Sequence, residues 1–427
     1  MSLSFVWLFV ILFVSGAPIA FALIAGPAIG VSLSSEQGLI RVLVSRLYNG
    51  IDSYPLLAVP LFLLAGETMN ASGVTGTLVR LAQSFFGHFR GGLAQVNIAA
   101  SILFAGMSGS AVADTSALGR ILVPGMRDEG YPTPFAAAVT AASSVIGPII
   151  PPSGIMIIYA FVMNVSVGGL FAAGIVPGLM MGGAMMLVTG LIARKRNYPK
   201  GDRADWKQRV ASARAAMPAL ATPAILLGGI FSGIFTPTEA AAVAAAYAIL
   251  LAAFGTRQIK ATDIAGIFIR TARQASVVLF LVGASVSFSW MLTTSGMGDV
   301  IASTLANASD ERLKLLFALN LILLIVGMFL DAGPAILILG PALGPVFVAI
   351  GVEPLHFAII MCVNLTVGLT TPPIGLALFV ASTVADEAPE RVATELAPFL
   401  ATHILIIILI TFIPAIPLAI PRALGFA

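Results

Sequence analysis

Continuous apolar stretches separated by short polar connections run along nearly the whole chain. Residues 5–25, 275–291 and 404–420 are the clearest, and each approaches or reaches the roughly 20 residues that cross a hydrocarbon core. They are unbroken rather than alternating, which excludes a membrane barrel. A backbone in lipid must satisfy its own hydrogen bonds, so the pattern predicts an all-α integral membrane bundle. Helices are expected near 134–162, 165–192, 218–235, 238–255 and 274–296.

Gly, Pro and small polar residues punctuate this pattern twice in the same way. Setting Pro151-Pro152 over Pro372-Pro373 aligns residues 106–154 with 327–375 without a gap, and 13 of the 49 positions are identical. Eight of the 13 are Gly or Pro, the residues that dictate backbone path, so an internal repeat is expected. In each repeat a short apolar arm (95–107; 315–328) meets a polar tip. The tips are Ser108-Gly109-Ser110 and Asp331-Ala332-Gly333-Pro334. A second short arm follows and ends near Pro124 or Pro345. At about 1.5 Å per residue such arms are too short to cross, so they predict two re-entrant hairpins, near 93–125 and 313–350. Non-helical backbone at that depth is tolerated where it lines a cavity or is buried in protein. After each hairpin comes a helix broken in its middle, at 147–152 and at 368–373. Two successive prolines there remove donors and disfavour helix for the residue before them.

Composition agrees with lipid as the main solvent: 59% of the 427 residues are hydrophobic and 10% are charged, where a soluble domain carries about 25% charged. The net charge of +3 matters less than its placement. Arg194, Lys195, Arg196, Lys200, Arg203, Lys207, Arg209 and Arg214 crowd one polar stretch, which the positive-inside rule puts in the cytoplasm. It divides the chain into a first half, 1–193, a linker, 194–216, and a second half, 217–427. Only Tyr198 and Trp206 interleave there as aromatics, and no nucleic-acid motif surrounds them. Counting two helices back from the linker makes hairpin one open to the cytoplasm, flanked by Arg80, Arg90 and Arg127. Counting three forward, past a basic loop with Arg257, Lys260, Arg270 and Arg273, makes hairpin two open outside, near Asp299, Asp310 and Glu311. The halves are therefore expected to be inverted, the signature of a secondary transporter with its site at the midplane. No Lys or Arg precedes Arg41, so the first apolar run lacks the basic flank of a signal peptide and is expected to stay as a helix.

Ionisable side chains inside the membrane cost roughly 2.5–3.5 kcal/mol each on insertion scales and mark function. Asp331 lies at the second tip, and Asp114 lies one turn into the second arm of hairpin one. Asp331 suits a hard cation that takes oxygen ligands or caps a half-helix; Asp114 caps, pairs or takes part at its own tip. Ser108, Ser110, Asn364, Thr370 and Thr371 add neutral oxygens, and the breaks at 147–151 and 368–372 add carbonyls. Two equivalent oxygen-rich nests suggest two cation sites, with Na+ favoured because no histidine is near either in sequence. The second arm of each hairpin starts at its tip, so its positive dipole end would face a cavity and favour an anionic substrate. Thr236-Pro237-Thr238-Glu239 reads as a capping box with proline at the first helical position. Glu67 reads as interface or packing, Cys362 as packing, and His88, His356 and His403 as structural or interfacial. Arg120, in the second arm of hairpin one, either snorkels to the cytoplasmic face or offsets a substrate carboxylate.

Residues 106–114 (GMSGSAVAD), 149–153 (IIPPS), 236–243 (TPTEAAAV), 329–337 (FLDAGPAIL) and 364–376, with its GLTTPPIG core, resemble the large membrane subunit of TRAP (tripartite ATP-independent periplasmic) transporters. The resemblance covers essentially the whole chain. It implies Na+-driven uptake of organic acids such as C4-dicarboxylates or sialic acid into a bacterium across its inner membrane. It further implies delivery by a soluble periplasmic receptor, a separate small four-helix membrane subunit bracing the scaffold, and an elevator-type motion of the hairpin domain. Carried onto this chain, a first Na+ site would fall on Ser108 and Gly109 with Gly147 and Pro151. A second would fall on Asp331 with Asn364, Gly368 and Thr371, and Ser110, Ser153 and Thr370 would face the substrate. Two departures stand out: Arg120 sits where a small residue is expected, and Ala332 follows Asp331 where a larger one is common.

Enzymatic chemistry is disfavoured. The chain has no H-E-x-x-H, no histidine near Ser108 in sequence, and no Gly-Lys dipeptide of a P-loop. The nearer alternative is a self-sufficient Na+/carboxylate symporter of the same architecture, and a receptor requirement separates the two.

Overall fold

The computed structural model describes residues 4–33, 38–256, 258–259, 261–296 and 312–426, and among them every regular element is helical. The first half comprises α1 (Ser4–Val14), α2 (Ile19–Ser32), α3 (Leu39–Ile51), α4 (Ala58–Ala71), α5 (Val74–Phe86), α6 (Gly92–Ser108), α7 (Ala111–Asp128), α8 (Thr133–Ser144), α9 (Gly154–Val162) and α10 (Val167–Lys195). The second comprises α11 (Trp206–Phe231), α12 (Pro237–Leu250) with a π turn at its end, α13 (Ala261–Thr294), α14 (Arg312–Phe329), α15 (Ala332–Ala349), α16 (Pro354–Gly368), α17 (Leu376–Ala385), α18 (Pro389–Phe412) and α19 (Ala415–Ala423). Seven of these helices are long and apolar enough to cross a membrane among the described residues. The number rises to eight if α3 and the 54–71 segment, bent by 54°, are one span.

The punctuation of the sequence falls where the chain turns. Gly109 takes a left-handed φ of +62° between α6 and α7, a conformation without steric cost only for glycine. The Thr236 hydroxyl caps Glu239 N, and the Glu239 carboxylate returns to Thr236 N at 2.8 Å, closing the box that starts α12. Both Pro-Pro bonds, Pro151-Pro152 and Pro372-Pro373, are cis. They interrupt what would otherwise be continuous helices, leaving α8 and α9 on either side of one break and α16 and α17 on either side of the other. Every residue of α8 from Phe135 to Ser144, and of α16 from Leu355 to Gly368, is buried. Such a central position suits helices of mainly apolar and small residues, and the few polar side chains on them are buried too. Cys362 is buried on α16, in the packing role expected of it.

Around these two buried helices pack α6, α7, α17 and α18 on one side and α9, α14 and α15 on the other. A second group, α2, α3, α4, α12 and α13, packs together and meets the first through α4 against α6 and α13 against α15. The Ser285 hydroxyl of α13 donates to the Leu337 carbonyl of α15 across that contact.

Three expectations change. The arms of the second hairpin run 18 residues each, long and apolar enough to cross by length alone, because neither Pro341 nor Pro345 ends α15. The polar connection between halves spans only 196–205: Arg194 and Lys195 close α10, while Lys207, Arg209 and Arg214 lie on α11. The expected basic loop before 274 is mostly helix, since α13 starts at Ala261 and carries Arg270 and Arg273 within it. Arg257, Lys260, Asp299, Asp310 and Glu311 lie outside the described residues.

α10 fixes the relation of the two hairpins. Its last turns pack against Gly91 at the base of the α6–α7 pair, and its first turn packs against Leu355, at the base of the α14–α15 pair. The first base is stitched to the basic connection by Gly91 N to Pro199 O (3.1 Å) and Gly201 N to Gly87 O (3.2 Å). Arg196 and Glu395 hold the start of α18 to the same face at 2.8 Å. At the far end, Glu353 pairs with Arg422 at 3.1 Å. Gly91 and Leu355 are therefore seated against opposite ends of a helix of 29 residues, about 43 Å long.

Candidate functional site

The two hairpin tips meet at one cavity. Its inner part, of about 240 Å³, is bounded by Gly109, Ser110 and Ala111 from the first tip and by Asp331 to Pro334 from the second. Pro148 and Leu369 of the two breaks and Gly154 at the start of α9 complete this wall. α4 and α13 supply the opposite, apolar wall through Phe62, Val278 and Leu281. An outer part of about 500 Å³ shares Ser110, Val278 and Asp331 with the inner one and adds Glu67, Asn70, Arg273 and Gln274.

Helix ends set the electrostatics. Ser110 and Asp331 occupy repeat-equivalent positions, and each is the N-cap of the arm that follows it. The Ser110 hydroxyl accepts from Ala113 N at 3.4 Å, and the Asp331 carboxylate accepts from Ala332 N at 2.9 Å. With α9, three helix N-termini converge on the space, each carrying a partial positive charge. A developing or resident anion is favoured there, with the single Asp331 carboxylate as the local counterweight.

The candidate residues divide by where their oxygens are spent. Gly109, Ser110 and Asp331 reach the cavity wall. Ser153 and Thr370 do not line it: both are fully buried, the Ser153 hydroxyl donating to Pro148 O at 2.5 Å and that of Thr370 to Val367 O at 2.9 Å. Thr371 donates to the same Val367 carbonyl at 3.1 Å. The breaks do free carbonyls, and the neighbouring hydroxyls take them. Ser108 ends α6 and Pro151 sits in the buried turn. Gly147 lies against Asp114: a Cβ there would fall 2.2 Å from Asp114 Oδ2, so the fully buried carboxylate rests on the first break. Gly368 touches Gly327 backbone to backbone, where a Cβ would come within 2.5 Å. Arg120 is exposed, is not on the cavity wall, and bonds Ser116 at 2.7 Å.

Behind the wall, hydrogen bonds tie each first arm to its broken helix. In the second half Asn364 donates to Asn320 Oδ1 at 2.7 Å, and Thr411 donates to the same oxygen at 3.1 Å. In the first, Ser101 bonds Ser143 at 2.8 Å, Asn97 bonds Thr140 at 2.6 Å, and Thr115 of α7 bonds Ser144 at 2.6 Å. Ser143 and Asn364 are repeat-equivalent. Asn364 Oδ1 is buried with no hydrogen-bond donor among the described residues, and a neutral oxygen of this kind suits a hard cation.

Glu67, Arg270 and Arg273 are the residues that sequence reasoning misplaced. Glu67, assigned to packing or interface, lines the outer cavity and pairs with Arg270 Nε at 2.5 Å. Arg273 lines the same mouth and makes no ion pair among the described residues. A usable signal existed: Arg270 and Arg273 are three apart in a stretch with no Gly or Pro between Gly266 and Gly283, so both fall on one helix face. The mouth lies along the first half of α13. α11 leaves the basic connection, α12 returns, and α13 therefore begins on the basic face, toward which the cavity widens.

A match to the family described as "Tripartite ATP-independent periplasmic transporter, DctM component" extends over residues 5–416. The sialic acid TRAP transporter large permease protein SiaM of Vibrio cholerae is 38% identical over 408 residues, covering 96% of this chain and 95% of that protein. The C4-dicarboxylate TRAP transporter large permease protein DctM of Pseudomonas aeruginosa is 38% identical over 388 residues, covering 91% of each. Among solved structures, the YdaH transporter of Alcanivorax borkumensis superposes with a TM-score of 0.64 over 96% of this chain and 97% of that one. At 16% identity, that likeness concerns the fold alone.

Proposed function

The chain belongs to the tripartite ATP-independent periplasmic transporter family as its large permease component, an organic-acid transporter subunit rather than an enzyme, and on that premise we propose that it imports a carboxylate by Na+-coupled alternating access. The substrate is a sialic acid, a C4-dicarboxylate or a similar acid, as the names of its relatives suggest. A periplasmic receptor hands it over, and a small membrane subunit braces the α4–α13 side in a bacterial inner membrane. The observation that carries this reading is the cavity between the two tips, with three helix N-termini on one wall and Arg273 at its mouth.

The substrate carboxylate would be held by those N-termini and by Ser110, and would meet Arg273 on its way to the basic face. Two Na+ ions would sit behind the tips. One would be held by Ser108, Gly109 and the 147–151 break beside Asp114, the other by Asp331, Asn364, Gly368 and Thr371. Coupling follows from order: with both ions absent, the tips lack the positive charge that offsets Asp331 and Asp114, and the closed wall is destabilised. The two repeats are read as inverted, and hairpins and broken helices move together as an elevator against the α4–α13 wall. The cavity's widening toward the basic face makes this conformation the one that releases substrate inward. Each net positive charge carried in gains about 2.3 kcal/mol per 100 mV, so two Na+ with a monoanion are driven by the membrane potential, and two with a dianion are not.

The test is uptake into proteoliposomes holding this subunit and its small partner, with purified receptor and labelled C4-dicarboxylate or sialic acid. Uptake that needs both receptor and an inward Na+ gradient supports the reading. Na+-driven uptake without receptor would establish the self-sufficient symporter instead, and flux driven by protons alone would overturn the choice of ion.

A further inference from the structure

A second cavity shares no lining residue with the one between the tips. It is a groove of about 1050 Å³ between the last turns of α10 and the 87–91 connection, on the basic face. Its walls are apolar and face outward: Phe89, Leu187 and Leu191 are 48%, 73% and 64% exposed. Its rim is cationic, formed by the exposed side chains of Arg90, Arg194 and Lys200. None of the lining residues is acidic. Backbone pairing of Arg90 with Lys200 brings two of these cations together from positions far apart in the chain. The Gln95 side chain donates to Met186 O at 2.9 Å, fixing α10 against α6 along the floor. The local field is felt by His88 on the same rim. After burial, the nearby charges of Arg209, Arg203 and Lys200 push its pKa below the ordinary imidazole value.

A furrow that is apolar along a membrane-crossing helix and cationic at its cytoplasmic lip has the shape and polarity of a phospholipid with an anionic headgroup. Basic pockets between membrane helices on this face take such headgroups by charge, while their apolar depth takes an acyl chain. We infer that this groove is a binding site for one anionic phospholipid, whose headgroup phosphate is held by Arg90, Arg194 and Lys200 and whose acyl chain lies along Leu187 and Leu191. The lipid would lock the base of the first hairpin to the end of α10 and to the basic connection.

Native mass spectrometry of the detergent-extracted complex with its small subunit tests this, with phosphatidylglycerol and phosphatidylcholine as probes. The intact protein should retain phosphatidylglycerol preferentially, and millimolar inorganic phosphate should not displace it. Each basic residue near an anionic lipid contributes roughly a fivefold factor. Combined Arg90→Gln, Arg194→Gln and Lys200→Gln should therefore weaken retention by on the order of a hundredfold. Arg127→Gln, exposed on the same face outside the groove, should leave it unchanged. Arg194→Glu alone, at the exposed end of α10, gives the same comparison should the triple variant not fold. A photoreactive group on Leu187→Cys should label lipid. Equal retention of the two lipids, an undiminished signal in the triple variant, displacement by phosphate, or labelling of the small subunit or a second copy in place of lipid would each overturn the assignment.

Discussion

Replacing Gly368 by alanine perturbs the second proposed ion site by displacing backbone, without removing any side-chain oxygen. A Cβ on Gly368 would lie 2.5 Å from both Cα and the carbonyl carbon of Gly327. Carbon atoms settle at about 3.5–4.0 Å, so α14 and α16 must part by about 1 Å, and the obstacle is backbone, which cannot rotate away. Overpacking of this kind costs about 1–3 kcal/mol. The parting also stretches the Asn364–Asn320 hydrogen bond, now 2.7 Å, and bonds between membrane helices average about 0.6 kcal/mol. Asp331 stands one turn beyond Gly327, so the tip is carried with α14. Misplacing a positioned group by about 1 Å costs up to roughly a hundredfold in rate. The expected outcome for Gly368→Ala is a lowered melting temperature in lipid–detergent micelles and receptor-dependent uptake reduced at least about tenfold. Gly183→Ala on α10 is the control, since its Cβ meets nothing within 4 Å and helical alanine is favoured by about 0.5–1 kcal/mol. If the two variants melt and transport alike, the close approach of the two glycines does not position the tip and the reasoning is wrong.

Asp331→Asn should fold normally but show a weakened dependence of uptake on Na+ concentration; an unchanged Na+ titration removes Asp331 from the ion site. Arg273→Gln should raise KM for the carboxylate by roughly 10–100-fold, the worth of one charge-assisted hydrogen bond, with Na+ activation unaltered, as initial-rate uptake would reveal. Ser153→Ala should cost about 1–3 kcal/mol of stability by stranding the buried Pro148 carbonyl, yet leave competition between different acids unchanged. Altered selectivity in that variant would mean that Ser153 faces the substrate after all.

Much of this architecture is legible in the residues because glycine and proline act locally. Gly109, the two Pro-Pro pairs and the box at Thr236–Glu239 need no tertiary information to dictate a turn, a break or a helix start. What escapes a linear reading is where a side chain's hydrogen bond goes. Ser153, Thr370 and Thr371 look like spare oxygens in the sequence, but a broken helix offers carbonyls within their reach, and a hydroxyl in a dry interior takes the nearest one. The charged residues fail differently. Arg270 and Arg273 look like loop residues because cations collect at helix ends, whereas an aqueous cavity lets α13 carry them inside its length. Glu67 could not be assigned without them, since its partner is some 200 positions away in the chain.

α10 has one further consequence. An inserted residue in an α-helix rotates everything beyond it by about 100° and lengthens it by about 1.5 Å. Because one end of α10 is seated against Gly91 and the other against Leu355, such an insertion would leave only one of the two seats in register. The helix is thus a gauge of fixed length, and related chains should hold the residue count of α10 constant.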